Sequence, residues 1–219
     1  MSDNNFDASR LLKLVQSCAI KPEDAHQLVR KYRDQVDPPG ISERKRSNFI
    51  ADKVIGRYAK LAGMAGGASG LAGVVPGIGT IAASVGGGSV DAVACMKLQV
   101  DMCMCLAASF GYDLTNEDAH HLSFLIAAGG TVEQAAVETT TKVASKAGVR
   151  MLRRYLRGAA LTAVKEYFKK VGIVFTRKSV EKALPFGIGA VLGSSANYGL
   201  TRYVGRQAKE WFVLDAKMN

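Results

Sequence analysis

Three charged side chains interrupt an apolar stretch, and ionisable groups so placed could form a binding or reactive site. Asp91, Lys97 and Asp101 are the only charged residues between positions 61 and 112. On one helix they span about 120°, and Lys97 and Asp101 are i,i+4 partners. Charges in apolar surroundings are costly unless they are paired or face water. We predict a polar cluster between helices; a pore lining, a structural ion pair, the wet face of a helix and an enzyme site remain alternatives.

Other chemical motifs are weak. The segment GIGTIA at 77–82 matches a dinucleotide fingerprint, but no convincing strand precedes it and Asp101 falls inside a helical pattern. Cysteine and methionine crowd residues 95–105 without a CxxC spacing, which favours core filling over a soft metal site. The sequence has no GxxxxGK[ST] and no GxSxG motif. We therefore predict no catalytic residue, no metal and no cofactor.

Basic residues are concentrated in the last third of the chain. Residues 141–219 hold 16 of the 29 Lys and Arg residues and only 4 of the 19 acidic ones, and the net charge is +10. On a helical wheel the first six of these basic residues, from Lys142 to Arg157, fall within about 120°, opposite Val149, Leu152 and Leu156. The predicted basic face, with its continuation, consists of Lys142, Lys146, Arg150, Arg153, Arg154, Arg157, Lys165 and Lys169.

Such a face indicates an anionic partner or a solvated outer surface. Each basic residue near an anionic lipid surface contributes about 1 kcal/mol of attraction. We expect no nucleic-acid partner, because the sequence has no recognised nucleic-acid fold, zinc finger or aromatic stacking array. An acidic protein stays open as a partner.

The number and spacing of the glycines are also informative about helix packing. Residues 61–90 carry ten glycines and no Lys, Arg, Asp, Glu or His, with Pro76 near the midpoint. Glycines four apart form smooth ridges that let helices approach closely, although each interior glycine costs a helix about 1 kcal/mol against alanine. The predicted packing or insertion residues are Gly63, Gly67, Gly70, Pro76, Gly77, Gly189, Gly193 and Asn197. Close packing of water-soluble helices and insertion of a hairpin into a bilayer both fit this pattern.

The elements that position these residues are predicted to be helices. The spacing predicts helices over about 6–20, 22–35, 42–61, 89–110 and 187–214, with Gly111 as a C-terminal stop. Capping boxes at 115–118 and 131–134 predict a helix ending at residues 129–130 and a new one starting at 131. A basic helix follows to about residue 172, and 173–176 is the one strand-like run. The fold class is all-α: a compact multi-helix bundle with a Gly-rich apolar helical hairpin at its centre.

The chain divides by pattern into an N-terminal helical extension, 1–40, and a main helical domain, 41–219. Four cysteines, three of them in one apolar stretch, form no disulfide framework, and the first residues have no apolar signal core. We expect a cytoplasmic protein, peripheral to the inner face of the cell membrane.

Three ordered segments resemble the EcsC family of bacterial proteins over about residues 45–215. They are the Gly/Pro run leading to Asp91, the turn formed by residues 111–113, and a C-terminal pattern of Pro185, Gly187, Gly189, Gly193, Asn197, Arg202, Gly205 and Ala208. The resemblance implies an all-helical bacterial protein whose founding member accompanies an ABC transporter involved in secretion. It implies no reaction, cofactor or catalytic residue.

The sequence thus predicts a non-enzymatic, membrane-associated accessory protein that binds anionic lipid through a basic helix, with insertion of the hairpin left open. A transporter or other membrane protein is a further candidate partner. The alternatives are a pore-forming or membrane-perturbing protein, a soluble helical carrier of an apolar ligand, and an enzyme. The sequence leaves the oligomeric state open.

Overall fold

The computed structural model describes residues 8–35, 41–65, 89–134, 142–158, 160–181 and 188–218, and these residues form eight α-helices and no strand. The all-α prediction is confirmed. The helices are α1 (Ala8–Cys18), α2 (Pro22–Asp34), α3 (Glu43–Ala65), α4 (Ser89–Ser109), α5 (Glu117–Gln134), α6 (Lys146–Leu156), α7 (Ala160–Glu181) and α8 (Ile188–Met218).

Helix α4 lies at the centre of the bundle. It contacts α1, α2, α3, α5 and α8, and every residue from 93 to 107 is buried. A helix that is apolar around its whole circumference can be stable in water only inside such a shell. The helix ends where the sequence predicts. Gly111 adopts φ +85°, and the Tyr112 N–H donates to the Ala107 carbonyl at 3.0 Å, which closes a Schellman motif.

The N-terminal helices pack on the same core as the rest of the chain. Leu11, Leu12 and Val15 of α1 are buried against α4 and α7, and Ala25 and Val29 of α2 join them. Pro22 begins α2 as predicted, with two acidic residues in its first turn. The boundary predicted after residue 40 therefore marks a change in sequence pattern, while helices on both sides of it share one hydrophobic core.

Helix α5 corrects two of the sequence predictions. It runs through Gly129 and Gly130 to Gln134, and Thr131 is a buried interior residue whose hydroxyl oxygen lies 3.0 Å from the Ala127 carbonyl oxygen. No new helix begins there. At its start the cap is Asn116, whose side chain accepts the Asp118 N–H at 2.9 Å.

The predicted basic helix is also divided. Helix α6 ends at Leu156, and α7 begins at Ala160 after a turn at Arg157 and Gly158. The strand-like residues 173–176 lie inside α7. The proposed hairpin around Pro76 falls almost wholly within 66–88, outside the described residues, so its central position stays a prediction.

Candidate functional site

Helix α4 carries three buried polar side chains in its middle, and they separate into two groups. Lys97 and Asp101 point toward α1, α2 and α3, where they line a cleft. Gln99 points toward α5 and α8 and contacts residues of both helices. All three residues are at most 3% exposed. The centre of the bundle therefore holds polar groups that need partners from several parts of the chain.

Lys97 and Asp101 form the ion pair that the i,i+4 spacing predicts. The Lys97 ammonium donates to Asp101 Oδ2, and the backbone N–H of Ile20 donates to Asp101 Oδ1 at 2.8 Å. Burial raises the pKa of the Asp101 carboxyl above its ordinary value, while Lys97 and the Ile20 N–H partly oppose the rise. The carboxylate thereby fixes the junction between α1 and α2 against the central helix.

A cleft of about 670 Å³ opens beside this pair. Its walls are the α1–α2 junction, α2, α3 and α4, with Ile20, Leu28 and Leu61 among the apolar side chains. This volume lies within the range of small-ligand sites, roughly 300–1,000 Å³. Lys97 and Asp101 are the buried charges of the lining, whereas the other charged groups are exposed.

Gln99 belongs to a second, neutral network. Its amide oxygen accepts the Thr131 hydroxyl at 2.6 Å, and its amide nitrogen donates to Thr201 Oγ1 at 3.5 Å and to Cys95 Sγ at 3.4 Å. This network joins α4 to α5 and α8 and satisfies polar groups that water cannot reach. Because Gln99, Thr131 and Thr201 are fully buried, we assign this network a structural role.

The predicted polar cluster is thus partly observed. Lys97 and Asp101 are in contact, whereas the side chain of Asp91, on the first turn of α4, lies outside the described part of the structure. Sequence reasoning missed Gln99, Thr131 and Thr201 because it considered only charges. A polar amide in the middle of an apolar helix was the available signal.

The basic face is built on α6. Gly148, Val149 and Leu152 are buried, and α6 packs on α5 and α8. The Ser145 hydroxyl begins the helix by accepting the Gly148 N–H at 3.0 Å. Glycine is required there, since a Cβ at Gly148 would lie 2.3 Å from the Lys142 carbonyl oxygen.

Five members of this face are exposed and form no ion pair with the described residues. They are Lys142, Lys146, Arg150, Arg154 and Arg157. Helix α6 contains no acidic residue. The predicted segregation of charge is therefore present on α6 for Lys146, Arg150 and Arg154, while Lys142 and Arg157 flank the helix.

Arg153 differs from its neighbours, which the helical wheel could not reveal. Its guanidinium contacts the carboxylate of Asp215, a side chain 5% exposed, and donates to the Asp215 carbonyl at 3.1 Å. The Tyr112 hydroxyl donates to the same carboxylate, and together these contacts join the α4–α5 turn, α6 and α8. Burial raises the pKa of Tyr112, and its bond to Asp215 raises it further. Arg153 thus stabilises the fold, and its side chain is only partly available to a partner.

Lys165 and Lys169 lie on α7, beyond the turn that separates it from α6. Both are exposed, and Lys169 pairs with Glu166 at 2.6 Å on the surface. Because the helix axis changes at the turn, the wheel of α6 does not extend to them. They form a second exposed basic group.

The predicted packing glycines remain a prediction, and two glycines outside that set approach neighbouring helices closely. Gly63 is buried in α3, Gly189 and Gly193 lie in α8, and Gly67, Gly70, Pro76 and Gly77 fall outside the described residues. Asn197 is 3% exposed. Close approaches occur at Gly129, where a Cβ would lie 2.9 Å from Val143, and at Gly205, where it would lie 2.9 Å from Ile55 and Met102.

The thiols and imidazoles assemble no metal site in the described part of the chain, where no three His, Cys, Asp or Glu side chains come together. Cys95, Cys103 and Cys105 are buried and Cys18 is half-buried. The His120 ring contacts the Leu114 carbonyl through Nε2 at 2.8 Å, a local contact beside the start of α5. Among these ranges, no helix combines the length and apolar character needed to cross a membrane.

Fold and site together define a class: an all-helical bundle with a buried central helix, a charged cleft on one side of it and a basic amphipathic helix on the surface. No protein-family model, curated protein or solved structure shows a significant match to the chain.

Proposed function

We propose that this protein binds anionic lipid surfaces peripherally through the exposed basic face of α6. The observation that carries the proposal is the segregation on that helix, where Lys146, Arg150 and Arg154 are exposed while Val149 and Leu152 are buried. Lys142 lies before the N-cap of α6 and Arg157 at its C-cap, and both are exposed. Because none of these five cations forms an ion pair with the described residues, they keep their attraction for an anionic surface.

The expected energy is sufficient for reversible binding. Five exposed basic residues at about 1 kcal/mol each supply roughly 5 kcal/mol near a surface rich in anionic lipid. That attraction is screened by salt over about 10 Å at 0.1 M ionic strength. Helix α6 has its apolar side in the core, so we propose docking by charge, in which the helix keeps its place in the bundle.

The wider setting follows from the resemblance and is part of the proposal. The resemblance to the EcsC family suggests a bacterial accessory protein at the inner face of the cell membrane, with a transporter as a candidate partner. Central helix α4 takes no part in insertion, because residues 93–107 are packed inside protein on all sides. Insertion of the Gly-rich segment 66–88 is a separate hypothesis about residues that the structure does not describe.

Liposome flotation tests this function. Purified protein is mixed with neutral vesicles of phosphatidylcholine or with vesicles containing phosphatidylglycerol, at low and at high salt. We expect flotation with the anionic vesicles only, and its reversal by salt. The triple variant Arg150→Glu, Arg154→Glu and Arg157→Glu should lose at least about 100-fold in vesicle affinity, since removal of three attractions alone costs about 3 kcal/mol and the new charges add repulsion. Arg153 is left intact because it pairs with Asp215.

A matched control distinguishes binding through this face from binding that depends only on net charge. Lys45→Glu, Lys60→Glu and Arg206→Glu also reverse three exposed charges. Each triple variant lowers the net charge by 6, from +10 to +4. The control should retain most of the binding. Equal loss in both variants would show that binding depends on net charge alone, and binding that survives the α6 variant would refute the proposal.

A further inference from the structure

The cleft beside α4 has features that a structural ion pair does not need. It measures about 670 Å³, and its base is formed by Lys97 and Asp101, whose side chains are 3% and 4% exposed. A pair that served only to fix helix register could be enclosed entirely by apolar side chains. Here a buried cation instead lines a space large enough for a small molecule.

The Lys97 ammonium has hydrogen-bonding capacity to spare. An ammonium carries three N–H donors, and the single acceptor that Lys97 contacts among the described residues is Asp101 Oδ2. The other oxygen of that carboxylate accepts the Ile20 N–H. Two donors of a buried cation that lines the cleft thus have no acceptor among the described residues, and an acceptor on a ligand would satisfy them.

The remaining charges of the cleft favour a negative ligand. Its lining holds four basic residues, Lys21, Lys31, Arg57 and Lys97, and two acidic residues, Asp24 and Asp101. Since Asp101 is paired with Lys97, the exposed rim consists of three cations and one carboxylate. The lining also includes the apolar side chains of Ile20, Leu28 and Leu61.

We infer that this cleft binds an amphipathic organic anion, whose acidic group contacts Lys97 and Arg57 and whose apolar body packs on Ile20, Leu28 and Leu61. A carboxylate or phosphate on an alkyl chain has this chemistry. The site is separate from the basic face, because no residue of α6 lines it. The inference goes beyond the proposed function, and either one can fail without the other.

Calorimetric titration with three probes tests the chemistry. Dodecyl phosphate, below its micelle concentration, has both the anion and the chain; inorganic phosphate has only the anion, and dodecanol only the chain. We expect dodecyl phosphate to bind at least about 10-fold more tightly than either of the others. Inorganic phosphate binding equally well would overturn the apolar part of the inference, and dodecanol binding equally well would overturn the role of charge.

Two variants place the probe in the cleft. The double variant Lys97→Met with Asp101→Asn leaves the net charge unchanged and keeps an acceptor for the Ile20 N–H. It should weaken dodecyl phosphate binding by about 10- to 100-fold, the effect of losing charge-assisted hydrogen bonds. Arg57→Gln changes only an exposed rim residue and should cost a few-fold, whereas Lys60→Gln, one turn further along α3 and outside the lining, should cost nothing. Equal effects of the two α3 variants would refute the assigned site.

Cys18 gives an independent readout that does not depend on any substitution at the base. Its thiol lines the cleft and is half-buried, while the other three cysteines are buried. Dodecyl phosphate at saturation should slow the labelling of Cys18 by a neutral disulfide reagent by at least about 5-fold, as expected when a ligand fills most of a binding site. Undiminished labelling at saturation would mean that the probe binds elsewhere. Vesicle flotation of the double variant should be unaffected, which distinguishes a failure of this site from a failure of the basic face.

Discussion

Replacing Lys97 by methionine would leave the Asp101 carboxyl buried without its cation. Methionine is close to lysine in length and carries no charge, so the packing around α4 is largely kept. The two side chains are 3% and 4% exposed, and solvent therefore screens the remaining charge poorly. The stability of this variant measures how strongly the central pair is coupled to the fold.

The size of the effect follows from proton binding. In the folded variant, the buried Asp101 carboxylate can bind a proton, which removes its unpaired charge. The ordinary pKa of this carboxyl is 3.8, so pH 7 lies about 3 units above it, and each unit corresponds to about 1.4 kcal/mol. The loss of unfolding free energy at pH 7 should therefore approach, without exceeding, about 4 kcal/mol. Removal of one partner from a buried ion pair costs about 3–5 kcal/mol in general.

The sign of the pH dependence is fixed by the same argument. Burial raises the folded-state pKa of Asp101 above its unfolded value, and without Lys97 nothing but the Ile20 N–H opposes the rise. The folded variant then binds more protons than the unfolded chain, so its unfolding free energy falls as pH increases. We expect a small deficit relative to the native sequence near pH 4, and a deficit of up to about 4 kcal/mol near pH 7.

Urea unfolding followed by circular dichroism, at a series of pH values between 4 and 7, measures this deficit. The double variant Lys97→Met with Asp101→Asn removes both charges and should be at least about 2 kcal/mol more stable than Lys97→Met alone at pH 7. A deficit below about 1 kcal/mol at pH 7, or one that does not change with pH, would refute the buried placement of this pair.

Three further predictions concern single side chains. Arg153→Gln should lower the unfolding free energy by about 2 kcal/mol, since it breaks charged hydrogen bonds to a buried partner, whereas Arg154→Gln should change it by less than about 0.5 kcal/mol. Gly148→Ala should cost about 1–3 kcal/mol because its Cβ would meet backbone oxygen at 2.3 Å, whereas Gly199→Ala, with nothing within 4 Å, should stabilise α8 by up to about 1 kcal/mol. Burial raises the pKa of Cys18 from 9.0 to about 11, so its thiolate fraction at pH 8 is about 100-fold lower than that of a free thiol. Because a thiolate of higher pKa is the stronger nucleophile, we expect Cys18 to exchange with a neutral pyridyl disulfide only about 10-fold more slowly than a free thiol.

Denaturant unfolding measures the first two, and absorbance of the released pyridinethione measures the third. Equal stability of the two arginine variants would show that the contact with Asp215 does not hold in solution. A stabilising Gly148→Ala would contradict the close approach at the start of α6. Labelling of Cys18 as fast as a free thiol would mean that the α1–α2 junction opens readily.

Much of the helical framework is predictable from local signals. Pro22 and Gly111 mark helix ends that depend on backbone chemistry near each residue, and the structure confirms both. Gly129 and Gly130 show the limit of such signals, because a glycine pair is typical of a helix end. In the fold, Val143 and Val204 pack against them, and this tertiary contact maintains the helix through the pair.

In the candidate sites too, local contacts are predictable from the sequence and tertiary contacts are not. The i,i+4 spacing predicts the Lys97–Asp101 contact, which is local. The wheel of α6 predicts a basic face but not that Arg153 leaves it, since its partner Asp215 lies 62 residues further along the chain. The cleft is formed by four segments of the chain, and no periodicity within one helix can indicate a volume enclosed between several.

The burial of α4 on all sides has a consequence for synthesis on the ribosome. Its walls include α5 and α8, and 109 residues separate its last residue, Ser109, from the end of α8 at Met218. At about 5–20 residues per second, synthesis of α8 is complete roughly 5–20 s after α4 has been made. The contacts between α3 and α8 likewise join distant parts of the chain, as between Lys209 and Asp52, 157 positions apart. The nascent chain therefore presents an apolar helix to chaperones during that interval, and a chain cut before α8 would keep it exposed.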